Sequence, residues 1–302
     1  MNGIININKP IGMTSFDVVS KIRRLFDTKK VGHAGTLDPD ACGVLPLCIG
    51  KATKVIEYLM DKDKAYRVGL MLGTATDTQD ASGNVIYEKP VLASVEEIET
   101  AVFSFLGEKE QIPPMYSAIR INGKRLYDLA RKGIEVERKP RPVTFFKLEI
   151  LSIERKQDKV MVKLDVECSK GTYMRTLCHD IGETLGCGGH MVSLIRTRSG
   201  PFLLENSYTL DDLEELKSHN SLDTAIIPMD QALLMMPSVI VSQSNAIKLK
   251  NGLCVPAEGL TSDLVRVYHE NGTFLAIGKT LEQNNLLKLK THKWIGNDSI
   301  GL

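Results

Sequence analysis

The apolar positions of this chain switch between a period of two and a period near 3.6, which predicts strands and helices mixed without regular alternation. Gly3–Asn8 alternates Ile with Asn and reads as a strand. After a turn at Lys9-Pro10-Ile11-Gly12, Thr14 or Ser15 caps a helix whose apolar stripe is Phe16, Val19, Ile22 and Leu25/Phe26. Val31–Pro46 is rich in Gly and Pro and reads as an ordered loop or several turns, and Tyr66–Leu72 as a strand. Ser94-Val95-Glu96-Glu97 is a capping box opening a helix through Leu106, with Gly107 as its stop. Arg125–Lys132 reads as a short helix ended by Gly133. Val143–Ile153 and Lys159–Cys168 predict an antiparallel pair across Gln157-Asp158. Tyr173–Leu185 is helical and is stopped by Gly186, Gly188 and Gly189; Met191–Arg198 reads as a strand, and Thr209 caps an acidic helix to Lys217.

After Pro237 the texture changes to short β-like runs, Val239–Val241, Leu264–Val267, Phe274–Gly278 and Leu286–Leu289, with Asn251-Gly252 and Asn271-Gly272 as turns. The expected architecture is α+β: a domain over 1–236 with a mixed or antiparallel central sheet flanked by helices, and a small β-rich domain over 237–302. The 302 residues, 43% hydrophobic and 25% charged, exclude a disordered, collagen-like or coiled-coil chain. Apolar runs are too short to span a bilayer, and MNGIININKP lacks a basic region followed by an apolar run, so a soluble cytoplasmic protein is expected. The six cysteines form no C-x-x-C pair, and Cys178, His179, Cys187 and His190 lack zinc-finger spacing; they read as small core residues.

The net charge of +1 says nothing about nucleic acid, but its distribution does. Arg120–Lys147 holds nine basic residues against three acidic ones, while Glu205–Asp230 holds seven acids against one lysine. The first is a candidate phosphate-binding face, or simply a solvated charged surface. Three places can carry chemistry. In Gly32-His33-Ala34-Gly35-Thr36-Leu37-Asp38-Pro39, two glycines allow close approach to a ligand, and Pro39 restricts the backbone of Asp38. Spacing leaves open whether Asp38 is a nucleophile, a base, a cap or a turn former. In Ser169-Lys170-Gly171-Thr172-Tyr173-Met174-Arg175, a strand leads into a helix whose Arg175 can pair with a carboxylate such as Asp38 or stand on the surface. Tyr66 offers a stacking face, or core packing.

Five blocks, in order, resemble the TruB family of pseudouridine synthases: Ile7–Val19, Gly32–Lys54, Ala65–Val85, Pro113–Gly133 and Ser169–Phe202. The resemblance implies a pseudouridine-synthase fold with a PUA-like C-terminal module and an RNA-gripping insertion over about 109–147. It implies isomerisation of uridine 55 in the tRNA T-loop, without metal or organic cofactor, and no obligatory protein partner; a monomer is expected. By the same resemblance Asp38 is the catalytic carboxylate, Arg175 its ion-pair partner and Tyr66 the active-site tyrosine. His33 and Leu194 meet the flipped nucleotide, Lys9 is the basic residue of the N-terminal block with a mainly structural part, and Lys124, Arg125 and Tyr173 complete the substrate-binding set. The rival readings are a tRNA-folding chaperone with catalysis secondary or absent, a guide-RNA-dependent synthase, and a phosphate-handling hydrolase using His33 and Asp38.

Overall fold

The computed structural model describes residues 1–296 apart from 118, 122, 258, 284 and 285, and not the side chain of Arg125. Strand β1 (Gly3–Lys9) leads through a turn at Gly12 into α1 (Ser15–Leu25). Thr14 and Asp17 form a capping box, the Thr14 hydroxyl accepting from the Asp17 amide at 3.1 Å and the Asp17 carboxylate from the Thr14 amide at 2.9 Å. The buried arc of α1 is Ser15, Val18, Val19 and Ile22, the spacing of one helix face. Phe16, expected on that stripe, is 62% exposed, because Ser15 takes the inward position in the first turn.

The Gly- and Pro-rich stretch expected as loop is two strands, β2 (Val31–His33) and β3 (Ala41–Ile49), around a loop at 34–40. Val44–Ile49 is buried on both faces, so it lacks the alternation that marks a half-buried strand. The chain continues through α2 (Ile56–Met60), β4 (Lys64–Leu72), β5 (Thr74–Thr76), β6 (Val85–Glu88) and α3 (Val95–Phe103). Ser94 and Glu97 form the expected capping box, but α3 ends at Phe103 and Gly107 opens β7 (Gly107–Gln111). The hairpin β8 (Arg120–Ile121) and β9 (Lys124–Arg125) precedes α4 (Leu126–Ala130). Then come the long pair β10 (Arg141–Lys156) and β11 (Lys159–Cys168), α5 (Met174–Thr184), β12 (Gly189–Ser199), β13 (Phe202–Leu203) and α6 (Leu210–Ser218).

The large sheet runs β1-β3-β12-β4-β11-β10-β7, with β2 on β3 and β13 on β12. Its pairings are antiparallel except β12 with β3, so the fold is α+β around a mixed sheet. One face of β1 and β3 (Ile5, Ile7, Leu45, Leu47) packs on Val18 and Ile22 of α1 and Leu213 of α6. The other face (Ile4, Val44, Cys48) packs on Val55, Leu59 and Leu233. Val68, Leu70, Val162 and Leu164 lie under Ile98 of α3 and Leu177 and Ile181 of α5; Cys178 and Cys187 belong to the same core.

A second sheet follows: β14 (Ser238–Val241), α7 (Gln243–Lys250), β15 (Val255–Pro256), β16 (Leu264–His269), β17 (Phe274–Gln283) and β18 (Leu286–Trp294), ordered β14-β16-β17-β18-β15. Asn271-Gly272 makes the β16–β17 turn as expected. Asn251-Gly252 is also a turn, the one that ends α7, a helix whose buried side is only Ala246 and Leu249, too thin a stripe to show as periodicity. Lys51 and Lys54 join the two units through the carbonyls of Gly296 and Trp294, both at 2.8 Å. Among the described residues no helix is long and apolar enough to cross a membrane.

Helix α5 is pressed onto the chain that returns from it. A Cβ at Gly182 would collide with the backbone of Gly188 and Gly189. Gly182→Ala is expected to lower unfolding stability by about 1–3 kcal/mol, read as a lower urea midpoint at unchanged slope.

Candidate active site

The loop at 34–40 has no regular structure, so its shape depends on what grips it. The Ser15 hydroxyl accepts from the Leu37 amide at 2.9 Å and donates to the Leu37 carbonyl at 3.1 Å. Leu37 itself is buried in the core with Tyr66 and Leu194. On the far side of Asp38, the Pro39 carbonyl accepts from the Gly12 amide at 2.9 Å and from Lys9 Nζ at 3.2 Å. Lys9, counted with the substrate-binding residues but expected to have a mainly structural part, is 0% exposed, and its ammonium also meets the carbonyls of Pro10 and Met13. An enclosed ammonium of this kind ties the first block of the chain to the Asp38 loop rather than meeting RNA.

Arg175 stands in the first turn of α5, where Tyr173 is the N-cap. Its Nη2 lies 3.0 Å from Asp38 Oδ2, and its Nη1 3.7 Å from Asp80 Oδ2. Nη2 also donates to the Tyr116 carbonyl at 2.8 Å. Asp80, not singled out in the sequence, sits in the β5–β6 loop. Its Oδ1 is saturated by the Thr78 hydroxyl (2.6 Å) and the Ser82 amide (3.0 Å) and hydroxyl (2.6 Å). The loop is pinned to β12 through Met191, whose amide donates to the Gln79 carbonyl at 3.0 Å and whose carbonyl accepts from the Ala81 amide at 2.9 Å. Thr78-x-Asp80-x-Ser82 is a self-satisfying turn pattern, the signal by which this second carboxylate could have been found.

Burial pushes the Asp38 carboxyl above its ordinary 3.8; Arg175 pulls it down, and Asp80 and Asp40 add to the rise. The side chain is still 43% exposed, so water tempers the effect of burial, and Arg175 at 3.0 Å favours its charged form. Arg175, 7% exposed, is the buried member of the pair. Tyr66 points from the start of β4 into the same core; burial raises its phenol to about 12, so it holds its proton at neutral pH. Leu194 lies on the neighbouring strand opposite Val68, beside Tyr66. His33 ends β2 with Nδ1 buried and unbonded; burial and the nearby Arg196 lower its pKa, which keeps the ring neutral.

Tyr173 is locked by the Gln111 side chain, which accepts from its amide at 2.8 Å and donates to its carbonyl at 3.0 Å. Lys124 is exposed on the β8–β9 hairpin, outside the Asp38 cluster, and the side chain of Arg125 lies outside the described residues. Leu126 of α4 donates to the Ile119 carbonyl at 2.8 Å and Tyr127 to Ser117 at 3.1 Å, so the hairpin and helix fold back on the segment that meets Arg175. Structure thus brings Asp38, Arg175, Tyr66, Leu194, His33 and Tyr173 together, adds Asp80 and Arg196, and leaves Lys124 apart.

Residues 23–174 match the N-terminal domain of TruB family pseudouridylate synthase, and 175–234 match the tRNA pseudouridylate synthase B C-terminal domain. The chain belongs to the TruB family. It is 51% identical over 252 residues to tRNA pseudouridine synthase B of Alkaliphilus oremlandii, covering 83% of this chain and 82% of the relative. The Bacillus licheniformis protein of the same name is 46% identical, with 91% of this chain and 92% of the relative covered. Among solved structures, a chain of a Cbf5-Nop10-Gar1 complex superposes with a TM-score of 0.72 at 30% identity, over 97% of this chain and 85% of that one. Members of the TruB family are isomerases of uridine, and the Asp38 cluster falls within the two matched domains.

The neighbours of Asp38 set its ionisation in opposite directions, which NMR titration of the carboxyl carbon can separate. Asp80→Asn removes a negative neighbour and is expected to lower the Asp38 pKa; Arg175→Met removes the positive one and is expected to raise it. An unchanged value in both variants would show that these groups do not share a field.

Proposed function

We propose that this protein converts uridine 55 in the T-loop of tRNA to pseudouridine, with Asp38 as the reacting carboxylate. One observation carries the reading: a carboxylate on a loop gripped from both sides, paired with a buried guanidinium beside the core that holds Tyr66. The relatives named tRNA pseudouridine synthase B support tRNA as the substrate class.

The reaction breaks the N1–C1′ bond, turns the uracil and joins C5 to C1′. The proton that C5 loses is balanced by the one that N1 gains, so nothing is oxidised and nothing leaves. An ionised carboxylate meets the electron-poor centre of such a step, either by bonding to it or by stabilising the charge that develops. Arg175 fixes the direction of Asp38 and keeps it charged inside the site. The target base must first leave its stack, at a cost of a few kcal/mol. Stacking on Tyr66 and contact with Leu194 offset that cost. Tyr66, protonated at neutral pH, can give or relay a proton only through its hydroxyl. The basic run from Arg120 to Lys147, with Lys124 exposed on its hairpin, suits the phosphates of a stem-loop read by shape and charge.

Unmodified tRNA transcript incubated with the protein is expected to gain one pseudouridine, in the T-loop, mapped at nucleotide resolution. Asp38→Asn is expected to bind the transcript, more weakly as salt rises, and to leave it unmodified. Binding without modification by the unaltered protein would point to a tRNA-folding role instead, and modification elsewhere would remove the T-loop assignment.

A further inference from the structure

Arg196 is a buried cation without an anion. It stands in β12, 1% exposed, and no carboxylate pairs with it among the described residues. Its donors go instead to backbone carbonyls: Nε to Val44 at 2.6 Å, Nη1 to Thr36 at 3.3 Å and Nη2 to Gly35 at 3.1 Å. Tyr66 is its partner across the β12–β4 ladder, near enough for the guanidinium to act on the phenol. Burial disfavours the charge, and a second buried cation, Lys64, lies near enough to be held down to about 8 in part by Arg196. An apolar side chain would avoid that desolvation cost but would leave these carbonyls without their donor, so the guanidinium is held by the groups it satisfies rather than by a counter-charge.

The four partners are better explained by what they carry. Gly35 and Thr36 lie just before Asp38 on the same loop, Val44 lies in the strand after it, and Tyr66 is on the opposite strand. Gly35 has a φ of +122°, a conformation open to glycine and strained for other residues, and its carbonyl is the one that accepts from Nη2. A Cβ at Gly43, where φ is +102°, would collide with the backbone of Arg196, so glycine lets β3 close on the same residue. Two glycines therefore shape the loop around one planar fork.

We propose that Arg196 is the positioning residue of the site, a rigid fork that sets the Asp38 loop and the Tyr66 hydroxyl at a fixed separation across the nucleoside. The inference rests on the reading of Asp38 and Tyr66 given above. A lysine at this place keeps the charge but has a single rotatable ammonium. It cannot reach three diverging carbonyls and a phenol at once.

The test compares Arg196→Lys and Arg196→Met in single-turnover modification of tRNA transcript, with melting temperature and tRNA dissociation constant measured on the same preparations. Both variants are expected to melt cooperatively and to bind tRNA as the unaltered protein does, while the modification rate falls by about 100-fold, the scale of a small misplacement of reacting groups. In a Tyr66→Phe background the lysine substitution is expected to cost much less, because one of the two things it positions is already gone. A purely structural arginine would lower melting temperature and cost the same factor in both backgrounds. The proposal is overturned by a folded Arg196→Lys protein with the full rate, by equal costs in the two backgrounds, or by failure of both variants to fold. Asp38→Asn, run in parallel, separates the layers: full activity there overturns the reading of the site itself, whereas an inactive Asp38→Asn beside active Arg196 variants overturns only the role of Arg196.

Discussion

A carboxylate on a loop has to be kept both charged and aimed, and an irregular backbone guarantees neither. Here the problem is met by three cations buried around residues 34–40, each spending its donors locally. Lys9 and Arg196 are consumed largely by carbonyls, and Arg175 divides its guanidinium between two carboxylates and the Tyr116 carbonyl. Because those cations come from β1, β12 and α5, the loop cannot keep its shape unless the sheet is closed and α5 is docked on it. The site is thus a readout of the whole α+β core rather than a local motif.

The electrostatics of that arrangement are balanced rather than maximised. Asp38 is pulled down by Arg175 and pushed up by burial and by two neighbouring acids. A carboxylate paired tightly with one guanidinium and nothing else would be a poor nucleophile and a poor partner for developing positive charge. Of the two acids that meet Arg175, Asp38 is the more exposed, and the saturated Oδ1 of Asp80 keeps that second acid from moving.

Much of this was legible in the sequence where chemistry and periodicity coincide. The capping box at Ser94, the cap at Thr209 and the long β10–β11 pair follow from local residues alone. The strands on either side of Asp38 did not, because β3 is buried on both faces and loses its alternation. Phe16 was placed inside on spacing alone, whereas Ser15 claims the inward position for a hydrogen bond to Leu37 that only tertiary structure creates. Asp38, Arg175 and Tyr66 are candidates by residue chemistry, the motif resemblance assigns their roles, and the geometry brings them together. Asp80 and Arg196 lay inside the same motifs unread, since an acid in a polar turn and an arginine in a strand look like surface residues until their partners are in place.

The excursion from β7 to β10 starts at Gln111 and ends at Arg141, and these two residues face each other on one rung of the sheet. Everything between them is therefore a cassette plugged into a single socket. Its length and sequence can change without moving any strand register, while the Gln111 clasp on Tyr173 keeps the socket fixed to the helix that carries Arg175. A lineage can then trade the outer part of this excursion for another, and an engineer can splice one in, provided the segment at Tyr116 that receives the Arg175 hydrogen bond is kept.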